Sequence, residues 1–152
     1  AKPLEINQSP VELNSYLSEV FKLYEEQAKQ KSINFILQGS EKVNVNIDAD
    51  LIKQSLMNII QNAFDSIKEN GEVSISYYRH KNDFVIEITD NGVGIDQEQQ
   101  KKIFDLYYTT KKDGNGLGLS ISQKIIAQHK GSIAFKSKLN QGTTFKIILP
   151  IK

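Results

Sequence analysis

Three stretches of this 152-residue chain carry apolar side chains at helical spacing, and each is followed by two short segments that read as strands. Leu13, Leu17, Val20, Phe21, Tyr24 and Ala28 predict a first helix ending near Lys31. Ser9-Pro10-Val11-Glu12 before it has the form of a capping box with proline at the first helical position. Ile33-Phe35-Leu37 and Val43-Val45-Ile47 alternate with polar residues, the pattern of half-buried strands. A second helix is expected from Asp48 to about Glu69, with Leu51, Ile52, Leu56, Ile59, Ile60, Ala63, Phe64 and Ile67 on its apolar side and Gly71 as its stop. Val73 to Tyr78 and Phe84 to Thr89 then read as strands joined by a polar turn at His80 to Asp83. A third helix, Leu117 to His129, is stopped by Gly131, and the last strands, Ser132 to Ser137 and Thr143 to Leu149, meet across "LNQG". Adjacent strands joined by short turns argue for a mixed, mainly antiparallel sheet with its helices on one face. The expected class is α+β, a two-layer α/β sandwich forming a single domain over 1–152.

With 19 basic and 18 acidic side chains nearly cancelling, the chain has no global field of the kind that drives non-specific binding to nucleic acid, so an anionic ligand must be caught locally. The absence of cysteine excludes a disulfide framework and a thiolate metal site and fits a reducing compartment. No run approaches the roughly 20 apolar residues that span a bilayer, so a cytoplasmic location is expected, whether or not the parent protein is attached to a membrane.

Asp90 to Gly116 breaks the periodic pattern. Only Gln97 to Phe104 looks like a short helix, and the rest reads as a mobile loop bounded by "DNGVG" and "GNGLGLS". Asn58 and Asn62 lie four apart on the second helix, hence on one face. They are either solvated asparagines or neutral oxygen ligands of the kind Mg²⁺ accepts when phosphates supply the charge. Asp90 stands at a strand end, where a carboxylate can accept from an exocyclic amino group; a plain Asp-Asn-Gly turn is the alternative. Gly92 and Gly94 would let the backbone turn and approach a flat ring. "GNGLGLS" opens a helix whose first N–H groups form an anion site, although its spacing matches neither familiar phosphate-loop pattern. Lys101, Lys102, Lys111 and Lys112, interleaved with Phe104, Tyr107 and Tyr108, are solvated charges or a cover over phosphate. His80 falls in a turn, and His129 closes a helix where its charge would favour the C-terminal dipole.

Taken in order, "NIIQNAFDSI", "DNGVGI", "IFDLYYTTK", "GNGLGLSI" and "GTTFKIILP" resemble the N, G1, F, G2 and terminal G-T boxes of the catalytic ATP-binding domain of sensor histidine kinases, in the GHKL superfamily. The resemblance covers essentially the whole chain. It implies that ATP and Mg²⁺ are the cofactors, that Asn62 is the metal ligand with Asn58 beside it, and that Asp90 reads the adenine amino group. Gly92, Gly94, Ile95 and Tyr108 would line the base pocket. Gly116, Leu117, Gly118 and Leu119 would hold phosphates, Lys111 would approach them, and Thr143 or Thr144 would lie at the pocket floor. Residues from about 95 to 116 would form a flexible ATP lid, and Asn58 and Lys111 would serve the transfer step.

The implied partners are a separate dimerisation domain carrying the acceptor histidine and the receiver domain of a response regulator, with no nucleic acid. The chain itself is expected to be monomeric. Two departures from the family pattern stand out: Thr109 occupies a position where many relatives carry arginine, and the phosphoacceptor box is absent. GHKL ATPases of the gyrase kind place a water-activating glutamate where this chain has Asn58, which cannot take a proton. A serine kinase of the anti-sigma type fits less well with the long N-terminal helix and strand pair, and a module that binds nucleotide only as a regulatory ligand fits less well with intact boxes.

Overall fold

The computed structural model describes residues 5–68, 70–105 and 118–151. The chain runs β1 (Ser9–Glu12), α1 (Leu13–Lys22), α2 (Glu25–Gln30), β2 (Asn34–Gln38), β3 (Asn44–Ile47), α3 (Ala49–Asp65), β4 (Glu72–His80), β5 (Asp83–Asp90), α4 (Gln97–Gln100), α5 (Gly118–Gln128), β6 (Ser132–Lys138) and β7 (Gly142–Pro150). A five-stranded sheet has the order β2-β4-β5-β7-β6, antiparallel except for the β2–β4 pair. Val73, Ile75, Phe84, Ile86, Ile88, Phe145, Ile147 and Leu149 alternate onto one face, where they are buried against α3 and α5. Between them on the other face stand Ser74, Ser76, Glu87, Thr89, Thr144 and Lys146, none of them buried. This is the expected two-layer α+β sandwich.

The amino-terminal region departs from its sequence pattern. Ser9 to Glu12 is not a capping box but strand β1, paired antiparallel with β3, and Glu12 makes no capping bond. A partner strand satisfies backbone groups that a lone cap would serve only in part, and Leu13 N–H closes the ladder on Val43 O at 2.9 Å. The first helix is broken at Leu23 and Tyr24, where the buried Tyr24 hydroxyl reaches Met57 O at 3.1 Å on α3. β2 and β3 are not paired with each other: β2 joins the main sheet beside β4, while β3 joins β1 in a separate ribbon.

α3 ends at Asp65, short of the expected Glu69, and the Lys31 ammonium donates to Phe64 O at 2.8 Å in its last turn. The ring of Phe64 is fully buried between Tyr24 and Phe35, which holds α3 to the sheet edge. Burying a side chain of this size stabilises by roughly 2–3 kcal/mol. α4 covers only Gln97–Gln100 and gives way to turns through Asp105.

His129 is not a charged helix end. It is 4% exposed, and its Nε2 lies 2.9 Å from the Asp48 peptide N–H, which can only donate. Nε2 therefore carries no hydrogen, and Nδ1 donates to Ile125 O at 2.8 Å. The neutral ring thus ties the end of α5 to the start of α3. His129→Ala should cost about 2–4 kcal/mol in a urea denaturation, because it opens a cavity and strands the Asp48 N–H. An unchanged midpoint would show that this tie carries no stability.

The Asp48 carboxylate accepts from Asn7 N at 2.8 Å and from Leu51 N at 3.1 Å, and the Asn7 bond foremost holds its pKa below the usual value. Its contribution is present above the unfolded pKa and is lost as pH falls through the lower folded one.

Candidate functional site

Both α3 asparagines are half-buried rather than fully solvated, and Asn58 stands toward α5. Asn58 Nδ2 lies 3.2 Å from Gly118 O and 3.3 Å from Ser122 Oγ. A carbonyl accepts only, so the amide nitrogen faces α5 and Oδ1 is turned away from it. Ser122 is fully buried and donates to Ser55 O at 3.4 Å, so a polar seam joins the helices exactly where apolar packing would be the default choice for stability. Asn62 follows one turn along the same side of α3. A Cβ at Gly118 would meet Asn58 Cγ at 3.7 Å, an ordinary contact, so space at this point does not require a glycine. Leu119 packs its side chain against the core, which leaves only its backbone for a ligand.

Asp90 closes β5 and is buried, 6% exposed as a residue. Burial pushes its pKa up; hydrogen bonds from Gly92 N–H, from the Ser66 hydroxyl and from Thr143 N–H oppose that rise. The Gly92 bond, 2.9 Å to Oδ1, is the Asx turn that the plain alternative foresaw, so turn and buried acceptor are the same residue.

The nearby glycines serve contacts within the protein. A Cβ at Gly92 would lie 2.2 Å from Ser66 Oγ, and Val93 N donates to Ser66 O at 3.0 Å, so this turn is packed onto the end of α3. Gly94 has φ +71°, and a Cβ there would meet Lys138 O at 2.2 Å. What they approach is the backbone of the β6–β7 hairpin and of α3.

The strand register separates the two threonines. Thr143 pairs with Asp90 and shares its face, whereas Thr144 pairs with Thr89 on the opposite face and hydrogen-bonds it at 2.9 Å. Side chains alternate along a strand, so Thr143 shares the face of Asp90 and Thr144 stands on the other.

Ile95 is packed against the core, and its N–H donates to Ser137 Oγ at 2.8 Å. Further along, Ile103 is buried and Phe104 meets Phe135 edge-on at 5.8 Å. Tyr107, Tyr108, Thr109, Lys111, Lys112, Gly116 and Leu117 lie outside the described residues.

Three serines of this site escaped sequence reasoning. Ser66 was within reach, since it lies four residues beyond Asn62 on the same helix face. Ser122 and Ser137 were not, because each matters through a partner that only tertiary structure supplies. Among the described residues no group of three or more His, Cys, Asp and Glu side chains is placed to hold a metal ion. A divalent ion here would have to take amide oxygens and the oxygens of its ligand.

A buried carboxylate at the end of β5, two half-buried asparagines one turn apart on α3 and the glycine start of α5 are thus set in a two-layer sandwich. The chain belongs to the family of histidine kinase-, DNA gyrase B- and HSP90-like ATPases, whose model matches residues 47–152. It is 39% identical over 153 residues to the signal transduction histidine-protein kinase AtoS of Escherichia coli K12, covering 99% of this chain and 25% of AtoS. It thus spans only a quarter of that relative.

The fold matches the catalytic domain of histidine kinase ThkA with a TM-score of 0.88 at 34% identity, over 96% of this chain and 97% of that one. ThkA has also been solved with the response regulator TrrA; there the TM-score is 0.82 at 31% identity, over 95% of this chain and 42% of that one. Full-length ShkA in complex with AMPPNP matches with a TM-score of 0.88 at 25% identity, over 99% of this chain and 32% of ShkA.

Proposed function

We propose that the chain binds Mg·ATP and donates the γ-phosphoryl group to a histidine on a separate dimerisation domain of a sensor kinase, for relay to a response-regulator receiver domain. The observation that carries this reading is the buried Asp90 acceptor, held on the same sheet face as Thr143 at the end of β5. Asp90 binds the adenine amino group, and Thr143 lies beside it. Asn62 offers an amide oxygen to Mg²⁺, which helps neutralise the phosphates; Asn58 adjoins it, with its nitrogen committed to α5.

Such a site suits phosphoryl transfer, which needs positioning and charge stabilisation more than a nucleophile of its own. Lys111 is assigned to the phosphates, and the lid to residues from about 95 to 116, by resemblance. The gyrase-type reading is disfavoured because Asn58 cannot act as a base toward water. The chain is proposed to be monomeric, since dimerisation belongs to the partner domain. A tight dimer in sedimentation would contradict that.

Calorimetric titration with AMPPNP, with and without Mg²⁺, tests the metal assignment. Asn62→Ala should abolish the gain in affinity that Mg²⁺ brings, about ten-fold or more if one ion–amide contact is lost. A variant that keeps the full Mg²⁺ dependence would move the metal elsewhere.

A further inference from the structure

Where α3 and α5 meet, two serines, Ser55 and Ser122, are fully buried. The Ser122 hydroxyl gives its one hydrogen to Ser55 O at a long 3.4 Å, and the Ser55 hydroxyl is buried with no hydrogen-bond partner among the described residues. Alanines would pack the two helices without burying these polar groups, so stability alone does not account for the seam. What the seam does hold is Asn58, whose amide nitrogen lies 3.2 Å from Gly118 O and 3.3 Å from Ser122 Oγ.

An amide nitrogen has two hydrogens, and here both are used. A carbonyl accepts only, so the contact with Gly118 O decides which end of the amide faces α5; turned over, Asn58 would set Oδ1 against another acceptor. Ser122, with its own hydrogen on Ser55 O, meets Asn58 with a lone pair and takes the second hydrogen. The last torsion of an asparagine side chain is soft, so a single anchor leaves the amide plane free to turn and two anchors fix it. Ser122 is itself sealed between the helices and is not open to a ligand.

Resting on the Mg·ATP reading above, we infer that Ser122 is a positioning residue that steadies the Asn58 oxygen for a hydrated Mg²⁺. By pinning the amide nitrogen to α5 it fixes Oδ1 on the side away from that helix, one turn of α3 from Asn62. A neutral amide oxygen held there serves the ion either directly or through one of the waters that Mg²⁺ keeps.

The test is calorimetric titration with AMPPNP, with and without Mg²⁺, of the wild-type chain, Ser122→Ala, Asn58→Ala and the double variant. The readout is the factor by which Mg²⁺ raises affinity. It is taken within each variant, so a general loss of affinity cancels. Ser122→Ala should reduce that factor about three-fold, the worth of one hydrogen bond inside a protein. In a chain already carrying Asn58→Ala the same change should reduce it no further, because no amide is left to position. A factor unchanged in Ser122→Ala would confine the serine to holding the helices together and overturn the inference, and so would a reduction that persists in the Asn58→Ala background. Failure of the wild-type chain to bind AMPPNP, or binding that Mg²⁺ does not strengthen, would instead overturn the Mg·ATP reading on which the inference rests.

Discussion

Asp90→Asn should weaken ATP binding by about 100-fold and at the same time raise the melting temperature of the nucleotide-free chain. The affinity change follows from counting acceptors. Gly92, Ser66 and Thr143 donate to the carboxylate, whose two oxygens offer about four lone-pair sites, so one remains for the adenine amino group. Asparagine has only one oxygen, and its amide nitrogen would face that donor with another donor. Losing a charge-assisted hydrogen bond and opposing two donors costs about 2–3 kcal/mol, or roughly 30- to 150-fold.

The stability change has the opposite sign because burial raises the Asp90 pKa. The folded chain holds this proton to higher pH than the unfolded chain does. The stabilisation is therefore fully present below the unfolded pKa and is lost as pH rises through the folded one. Asparagine carries no such penalty, so the difference in melting temperature between wild type and variant should grow from acid toward neutral pH. Calorimetric scans at several pH values measure it. A variant less stable than wild type at neutral pH would mean that the bonds from Gly92, Ser66 and Thr143 outweigh burial.

Gly142→Ala should be the most damaging single change at this site. Gly142 has φ +120°, a conformation that residues with a Cβ rarely adopt, and a Cβ there would lie 2.0 Å from Asp90 O. That oxygen is backbone at the end of the β5–β7 ladder, so relief requires the strands to part where Asp90 and Thr143 sit. Strain and overpacking together should cost about 3 kcal/mol or more. Urea denaturation should show it as a lower midpoint, and the folded fraction should bind nucleotide poorly. Asn140→Gly in the same hairpin is a control, because Asn140 already has φ +65° and glycine fits there without strain. Equal midpoints for Gly142→Ala and wild type would show that the hairpin yields more easily than its contacts imply.

Much of this protein was legible in its residues because the signals are local. The apolar side of α3 follows from a 3.6-residue period and the strands β4 to β7 from a two-residue period, and each needs only its own segment. Asn58, Asn62 and Asp90 stand out as candidates for a related reason: amides inside a helix and a carboxylate at a strand end go against local preference.

Where local rules compete, tertiary structure decided. Ser9 to Glu12 satisfies a capping pattern, but β3 offers a full ladder to its backbone. Thr143 and Thr144 are alike in sequence, and only pairing with Asp90 and Thr89 places one on the face of Asp90 and the other on the opposite face. Ser137 and His129 meet Ile95 and Asp48, groups far away along the chain. Periodicity tells a segment which side is apolar. Register and hydrogen-bond partners depend on which segments meet, and that is settled by the packing of the whole sheet against its helices.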